Sequence, residues 1–164
     1  MKRPNPEPCR ESDIGKFEIV SRDGAARIGK FHTIHGVVNT PTLLPVINPN
    51  IRTIEPRDMW DVFGVECLIT NSYIIRNSEN LSKEATEHGV HSLLNFPGAI
   101  MTDSGTFQSY VYGDIEVEPE EIIEFQKSIG VDIATMLDVF GKPNLNFEES
   151  QKIVEETISR SEIS

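Results

Sequence analysis

The order of apolar segments constrains the fold of this chain more than any other feature of its sequence. From residue 42 onward, short apolar runs typical of strands alternate with longer amphipathic segments typical of helices. Such alternation implies a parallel sheet whose strands are joined by right-handed crossovers. The predicted strands are 42–47, 66–71, 99–102 and 132–137, and the predicted helices are 53–63, 80–88, 119–129 and the segment that follows residue 146.

Local signals predict the ends of these elements. Thr53 is expected to cap the first helix and Gly64 to end it. Asn146, with Glu149 three residues later, has the spacing of a capping box at the start of the last helix. The continuous apolar run 42–47 predicts a strand that is buried on both faces.

A different pattern precedes these units. Three short segments, 17–20, 26–31 and 36–40, are separated by turn residues and predict a small antiparallel sheet. Residues 1–16 are polar and rich in proline, and we expect them to form a loose tail. The domain prediction is therefore a tail over 1–16 and a single unit over 17–164.

These elements fit an α/β fold of the TIM-barrel type. A doubly wound sheet is the other option for alternating units, but no GxGxxG motif follows any predicted strand. A (β/α)₈ barrel needs about 250 residues, so four units make roughly half of one. The sequence therefore predicts an incomplete barrel that is preceded by an antiparallel sheet.

Composition excludes several classes of function. The net charge of −11 argues against non-specific nucleic-acid binding by this chain alone, because phosphate contacts need Lys and Arg. Its two cysteines form no CxxC pair, and its four histidines show no metal-ligand spacing, so we expect structural histidines and no metal site. No signal peptide is visible and no apolar run approaches the ~20 residues that span a bilayer, which favours the cytoplasm.

Polar residues follow three of the four predicted strands. Asn71-Ser72-Tyr73 follows the second strand, Asp103-Ser104-Gly105 follows the third, and Asp138 follows the fourth. The carboxyl ends of parallel barrel strands lie on one face, and active sites are built there. The sequence therefore predicts that these three sets line one site.

Each of these residues has a functional and a structural interpretation. Asp103, at the end of an apolar strand, is a general acid or base, or else a turn residue before a glycine. Phe107 stacks on a planar ligand or fills the core, and Gln108 reads a polar edge or begins a helix. Asp138 accepts hydrogen bonds from a ring N–H group or belongs to a turn.

Residues 103–108, Asp-Ser-Gly-Thr-Phe-Gln, resemble the DSGxFQ motif of tRNA-guanine transglycosylases. The match extends in order from about residue 17 to the end, and its archaeal branch fits best. The other matching segments are Arg27-Ile28-Gly29-Lys30, His35-Gly36, Thr40-Pro41, Leu44 to Asn50, Asn71-Ser72-Tyr73, Val111-Tyr112-Gly113 and Leu137-Asp138-Val139-Phe140.

The resemblance implies a TIM barrel with an N-terminal antiparallel sheet. It also implies exchange of a D-arm guanine of tRNA for 7-cyano-7-deazaguanine in archaeosine biosynthesis, by cleavage of the N-glycosidic bond through a covalent intermediate. In that reaction Asp103 corresponds to the catalytic acid/base. The implied substrate-binding residues are Phe107 under the base, Asp138 at its amidine-like edge, Ser104 near the base or ribose, and Asn71, Gly105 and Gln108 around the same pocket.

Other parts of the family pattern are expected beyond residue 164. These are the nucleophilic aspartate, the three cysteines and one histidine of a structural zinc, and the RNA-binding domains, so no cofactor is expected in this chain. The expected partners are tRNA, a 7-deazaguanine base, and either a complementary C-terminal half or a second copy in a homodimer. The alternative is a truncated, non-catalytic module for base binding or assembly. An unrelated barrel lyase or aldolase would need a lysine or metal ligands at the strand ends, and none is found there.

Overall fold

The computed structural model describes residues 2–108 and 117–162 and contains two three-stranded sheets. The Val111-Tyr112-Gly113 motif lies outside the described residues. Within the described part of the chain, no helix has the length and apolar character needed to cross a membrane. The mixture of sheets and helices confirms the predicted α/β class.

The first sheet is antiparallel, as predicted. Its strands are β1 (Phe17–Asp23), β2 (Ala26–Thr33) and β3 (Gly36–Thr40), in the order β1-β2-β3. β1 is exposed along its whole length, whereas β2 buries Gly29 and Thr33 and β3 buries Gly36 and Val38. The buried side of this sheet therefore faces the rest of the molecule through β2 and β3.

The second sheet is parallel, with the order β4-β5-β6. Its strands are β4 (Val46–Ile47), β5 (Cys67–Asn71) and β6 (Ala99–Asp103). The helices are α1 (Pro56–Asp61), α2 (Ser72–Arg76), α3 (Glu79–His88), α4 (Val90–Leu94), α5 (Pro119–Ser128) and α6 (Phe147–Glu162). The crossover from β5 to β6 thus contains three short helices, where one helix was predicted.

The main core lies between this parallel sheet and its helices. Leu68 on β5 and Ile100 on β6 are fully buried and pack with Ile75, Leu94 and other apolar side chains of α2 to α4. A smaller cluster of Val38, Cys67 and Ala99 joins β3 to the first residues of β5 and β6. The antiparallel sheet therefore covers the amino-terminal ends of the parallel strands and leaves their carboxyl ends open.

The predicted strand 42–47 is much shorter than expected. Only Val46 and Ile47 form a strand, and Leu43 and Val46 are 81% and 77% exposed. The prediction that this run is buried on both faces is wrong. Pro41 and Pro45 carry no N–H to donate, so the ladder cannot extend toward the preceding residues. Pro45 contributes only its carbonyl, which accepts from Ile69 N at 3.0 Å.

The predicted strand 132–137 is reduced to one bridge, between Met101 and Ile133. The side-chain amide of Gln126, which is fully buried on α5, replaces the next strand partner. Gln126 Oε1 accepts from Thr135 N at 3.0 Å, and Gln126 Nε2 donates to Thr135 O at 2.9 Å. Because this side chain satisfies the backbone at Thr135, the segment departs from β6 after a single bridge.

The predicted capping box at Asn146 is confirmed. Asn146 Oδ1 accepts from Glu149 N at 2.9 Å, and Glu149 Oε2 accepts from Asn146 N at 2.9 Å. The predicted cap of the first helix is wrong, because Glu55 is its N-cap and Pro56 its first residue. A proline fits the first helical turn, where its missing N–H has no intrahelical partner to lose, and this places the start after Thr53.

The expectation of a loose tail is also wrong, because the first residues are fixed against α1. Trp60 Nε1 donates to Pro4 O at 3.1 Å, and the Arg3 guanidinium lies 4.0 Å from the centre of the Trp60 ring. Arg57 donates to Asn5 Oδ1 at 2.8 Å. These contacts fix the polar N-terminal segment through an arginine side chain and backbone groups. A search for apolar patterns in the sequence does not detect contacts of this kind.

Candidate functional site

The carboxyl ends of β5 and β6 bring Asn71 and Asp103 together. The parallel register makes these two residues direct partners, as the position of each at a strand end predicted. Asn71 Nδ2 donates to Asp103 Oδ2 at 3.1 Å and to Gln108 Oε1 at 3.1 Å. One amide group therefore bridges the candidate acid/base and the candidate recognition residue.

The start of α2 fixes the orientation of this amide. Asn71 is the N-cap of α2, and its Oδ1 accepts from Ile74 N at 3.0 Å. Since the carbonyl oxygen of the side chain is held by the helix, the NH₂ group must face the other way, toward Asp103. Asn71 is only 7% exposed, so the arrangement is shielded from competing water.

Two further contacts fix Asp103 itself. Gly105 N donates to Asp103 Oδ1 at 3.2 Å, and Ser72 Oγ donates to the Asp103 backbone oxygen at 2.7 Å. Both carboxylate oxygens thus accept from neutral donors, Asn71 on one side and Gly105 on the other. These contacts hold the carboxylate group in one orientation.

A glycine is needed directly after this strand. Gly105 has a φ of +89°, and a Cβ built there would lie 2.2 Å from Tyr73 Cβ. The backbone therefore approaches α2 closely and turns in a region that other residues avoid. This turn directs residues 106–108, which are helical, back across the end of β5.

Phe107 is on the surface, not in the core. Its side chain is 53% exposed, and its ring packs edge-to-face with Phe140 at a centroid distance of 5.5 Å. The core interpretation of Phe107 is therefore wrong. An exposed ring supported at its edge has a face available for a planar ligand, although stacking itself stays a prediction.

The segment around Asp138 joins the same region through its backbone. Thr106 Oγ1 donates to Asp138 O at 3.3 Å and lies 3.4 Å from Ser104 Oγ. Asp138 is exposed, whereas Ser104 is 3% exposed. Direct hydrogen bonds thus connect Asn71, Asp103, Gly105 and Gln108. Asp138 lies beside this group, and its backbone carbonyl makes the contact. The roles of Ser104 and Asp138 toward a ligand stay predictions.

A second polar cluster was not identified from the sequence. His35, between β2 and β3, and His91, on α4, both contact Asp132, whose side chain is 0% exposed. His35 Nδ1 lies 3.1 Å from Asp132 Oδ1, and His91 Nε2 lies 3.0 Å from Asp132 Oδ2. The expectation of structural histidines agrees with these contacts. Asp132 itself could have been noticed as an acid at the start of an apolar run.

The charge on Asp132 is stabilised strongly. Burial alone raises the pKa of this carboxyl, but hydrogen bonds from His35, His91 and the Ile100 N–H outweigh burial and hold the pKa well below its usual range. Nearby Cys67 is affected in the opposite sense, because burial, with a smaller contribution from the Asp132 charge, raises the pKa of its thiol to about 11. Cys67 is therefore a buried, protonated thiol at neutral pH.

Comparison with known proteins agrees with the resemblance seen in the motifs. Residues 22–164 match the family TGT, described as queuine tRNA-ribosyltransferase. A protein of Picrophilus torridus is 50% identical over 144 residues, and one of Thermoplasma acidophilum is 53% identical over 144 residues; each alignment covers 88% of this chain and 23% of the relative. A protein of Methanosarcina mazei is 52% identical over 146 residues, which are 89% of this chain and 30% of that protein.

All three relatives are named tRNA-guanine(15) transglycosylase. The chain spans about a quarter to a third of their length. The match includes the strand ends and the loop that hold Asn71, Asp103 and Gln108. Because it extends over residues 22–164, the chain belongs to the TGT family of queuine tRNA-ribosyltransferases.

Proposed function

We propose that this chain forms the base-binding part of a tRNA-guanine transglycosylase that acts on guanine 15 of tRNA, the position in its relatives' names. The incoming base is 7-cyano-7-deazaguanine, and the product leads to archaeosine. The observation that carries this proposal is the arrangement of Asn71, Asp103 and Gln108 at the open ends of two adjacent parallel strands. We also propose a cytoplasmic location, where tRNA is available.

Asp103 suits the role of general acid and base in this exchange. When a nucleophilic carboxylate attacks ribose C1′, the C1′–N9 bond breaks and the bonding electrons leave with guanine. In this step Asp103 starts protonated and gives its proton to the departing base. The incoming base then forms its bond to C1′, the bond between C1′ and the nucleophilic carboxylate breaks, and the N–H proton of the incoming base passes to Asp103, so both carboxyl groups end as they began. The donors from Asn71 and Gly105 support this proposal because they hold the carboxylate in one orientation.

The neighbouring residues suit recognition of a guanine-like ring. The exposed face of Phe107 would stack on the base, and the Asp138 carboxylate would accept from its amidine-like edge. Gln108 Oε1 already accepts from Asn71, so its NH₂ group remains to donate to a carbonyl of the base. Ser104 would contact the base or the ribose after a small adjustment of its buried hydroxyl.

We propose that the nucleophile, the structural zinc and the basic tRNA-binding surface belong to the part of the relatives that this chain does not match. The sequence has only two cysteines, Cys9 and Cys67, so it cannot supply the three that the zinc site needs. Its net charge of −11 supports placing the phosphate contacts on another segment.

We propose further that the unmatched part of the relatives completes the barrel. Two separate surfaces support this proposal, because both expose apolar side chains that a barrel would cover. Along edge strand β4 these side chains are Leu43, Val46 and Ile51, which are 81%, 77% and 70% exposed. On α6 they are Phe147, Val154 and Ile158, which are 81%, 56% and 54% exposed.

Guanine exchange tests the function. The chain is combined with the portion of the Thermoplasma acidophilum relative outside its matched region, and incorporation of labelled guanine into tRNA is followed. We expect Asp103→Asn to abolish incorporation while the two segments still associate. Asp23→Asn, at the exposed end of β1, is the matched control and should leave exchange unchanged.

The outcomes separate the hypotheses. Exchange that persists in Asp103→Asn contradicts the acid/base role. Binding of guanine by the combined segments without any exchange would instead support the non-catalytic module. A homodimer of this chain that performs exchange without the other segment would show that a second copy, not a complementary half, completes the site.

A further inference from the structure

The cluster of His35, His91 and Asp132 lies away from the proposed site, at the opposite end of β6. Its members come from three distant parts of the chain and meet on one buried carboxylate. The side chains of His35 and His91 are 34% and 16% exposed, and their rings stack with centroids 3.5 Å apart and planes inclined by 21°. We call this group the imidazole cluster.

Its donor atoms suggest a metal site, since all three lie within 4.8 Å of one another. The ring geometry argues against one. A metal bound to an imidazole lies in the ring plane about 2.0–2.1 Å from the nitrogen. Because the two rings are stacked and nearly parallel, their in-plane directions run side by side and do not meet at that distance. One ion cannot bind both rings in their ring planes.

Hydrogen bonding explains the cluster better. A carboxylate only accepts, so His35 Nδ1 and His91 Nε2 each donate an N–H to Asp132. Two backbone groups donate as well, His35 N to Oδ1 at 3.0 Å and Ile100 N to Oδ2 at 2.9 Å. Four donors around one buried anion satisfy the requirement that a buried charge be compensated.

The cluster is attached to the strand that carries Asp103. Asp132 Oδ2 accepts from Ile100 N, while Asp132 N and Ile133 N both donate to Ile100 O, at 2.9 and 3.2 Å. Both the backbone N–H and the backbone carbonyl of Ile100 are therefore hydrogen-bonded to the segment that contains Asp132. Ile100 is three residues before Asp103 on β6, which corresponds to about 10 Å along a strand. At the other end, Ser72 holds the Asp103 carbonyl.

We propose that His35, His91 and Asp132 are positioning residues for Asp103. By fixing Ile100, the cluster sets the position of β6 relative to β5. This position in turn determines how closely the Asp103 carboxylate approaches the Asn71 amide. The backbone N–H and the ring of His35 both form hydrogen bonds to Asp132. Because His35 connects β2 and β3, these bonds also link the antiparallel sheet to the cluster. This inference rests on the proposed function only for the chemistry of Asp103; the coupling along β6 is a property of the chain alone.

The test uses the 164-residue chain and NMR signals at the far end of β6. Glutamine can donate an N–H close to the Nε2 position of histidine, so His91→Gln keeps the bond and His91→Ala removes it. We expect His91→Ala to shift the Asn71 side-chain amide and Asp103 carboxyl signals. His91→Gln and the exposed control His88→Ala should keep the wild-type signals.

The free energy of unfolding is measured beside these signals, in urea. A purely structural role would lower stability in His91→Ala but leave the Asn71 and Asp103 signals unchanged, and that result would overturn the proposal. A His91→Gln variant that shifts those signals as much as His91→Ala would also overturn it, since the donated N–H would then not be what matters. Saturable binding of one Zn²⁺ that His91→Ala abolishes would replace it with a metal site.

Activity gives a separate measure. In the combined exchange assay, we expect His91→Ala to lower kcat about tenfold and to change the KM for the base by less than about twofold, because the reacting group is displaced while the stacking surface is kept. His91→Gln should restore kcat. If even the wild-type segments perform no exchange, the proposed function fails, while the NMR comparison still decides the positioning role.

Discussion

Gly105 is the residue at which the backbone of the site tolerates least change. With a φ of +89° and a built Cβ 2.2 Å from Tyr73 Cβ, Gly105→Ala meets both backbone strain and a clash. Gly64 has a φ of +69° with nothing within 4 Å of its Cβ position, so Gly64→Ala meets strain alone. We expect about 1–2 kcal/mol of destabilisation at Gly64 and about 1–3 kcal/mol more at Gly105, measured by urea unfolding. Equal losses at both sites would contradict the close approach to α2.

The two cysteines should differ sharply in reactivity. Cys67 is 1% exposed with a pKa raised to about 11, whereas Cys9 is partly exposed near His32. At pH 8 we expect a disulfide reagent to label Cys9 rapidly in the native chain and to label both cysteines in urea. The reason is that only a thiolate that the reagent can reach reacts. Cys9→Ser should remove the rapid phase and Cys67→Ser should keep it. Rapid labelling of Cys67 would show that the contact between the two sheets opens readily.

Single residues were predictable from the sequence where local pattern decides their place. Asp103 and Asn71 each end an apolar run. Their position at a strand end, and their proximity to each other, therefore followed from the alternation of apolar segments along the sequence. Asp132 was not predictable in the same way, because its partner His35 is 97 residues away and each is unremarkable in its own segment. Burial of Asp132 and exposure of Phe107 likewise depend on tertiary packing that no local spacing encodes.

The start of α6 offers a test at the level of one helix. Asn146 and Glu149 satisfy each other's backbone N–H groups, and α6 in turn contacts the Asp138 segment through Thr157 Oγ1, which accepts from Val139 N at 3.1 Å. We expect Asn146→Ala to destabilise α6 by about 1 kcal/mol and to speed hydrogen exchange of the Glu149 amide about fivefold. Glu148→Gln leaves both capping bonds in place and serves as the control. Unchanged exchange in Asn146→Ala would mean that packing alone fixes this end.

Asp132 links the two sheets and should make their contact sensitive to acid. Its pKa is held below the usual range in the folded state, so its contribution to stability is fully present above the unfolded value of about 3.9 and is lost as pH falls below it. We expect the free energy of unfolding of the wild type to begin to drop as the pH falls below about 4, and to keep dropping until the pH reaches the much lower folded-state pKa of Asp132. Asp132→Asn should be less stable at pH 7 and show a flatter profile in acid, with exposed Asp23→Asn following the wild type. Parallel profiles for wild type and Asp132→Asn would contradict this assignment.

Whole elements were predictable where side-chain pattern and turn residues agree. The antiparallel sheet, β5, β6, α3 and α5 all lie where expected, since apolar period and flanking glycines or prolines indicate the same bounds. The two strands that are shorter than predicted share one cause, which is a change in the hydrogen bonding of their backbone. Prolines shorten β4, and the buried Gln126 amide takes the place of a strand neighbour at Thr135. Neither effect is visible in a hydrophobic pattern.

The apolar side chains on the edge of β4 and on α6 lead to a prediction for the molecule as a whole. Phe147, Val154 and Ile158 fall on one face of α6 at helical spacing, and each is more than half exposed. A second exposed apolar patch borders β4. Monomeric proteins rarely leave such surfaces uncovered, so we expect the 164-residue chain alone to self-associate with rising concentration.

Sedimentation velocity measures this association and what removes it. Val154→Lys with Ile158→Glu should shift the chain toward monomer without loss of helix, because the substituted side chains lie on the solvent face of α6. The matched control is Lys152→Gln with Ser159→Lys, which changes exposed polar positions on the other side of the same helix and likewise keeps the net charge. Addition of the unmatched portion of the Thermoplasma acidophilum relative should replace self-association with a one-to-one complex, since both surfaces would then be covered by barrel partners. A chain that stays monomeric at all concentrations and ignores the added segment would contradict barrel completion, because the exposed apolar faces would then have no partner to bind.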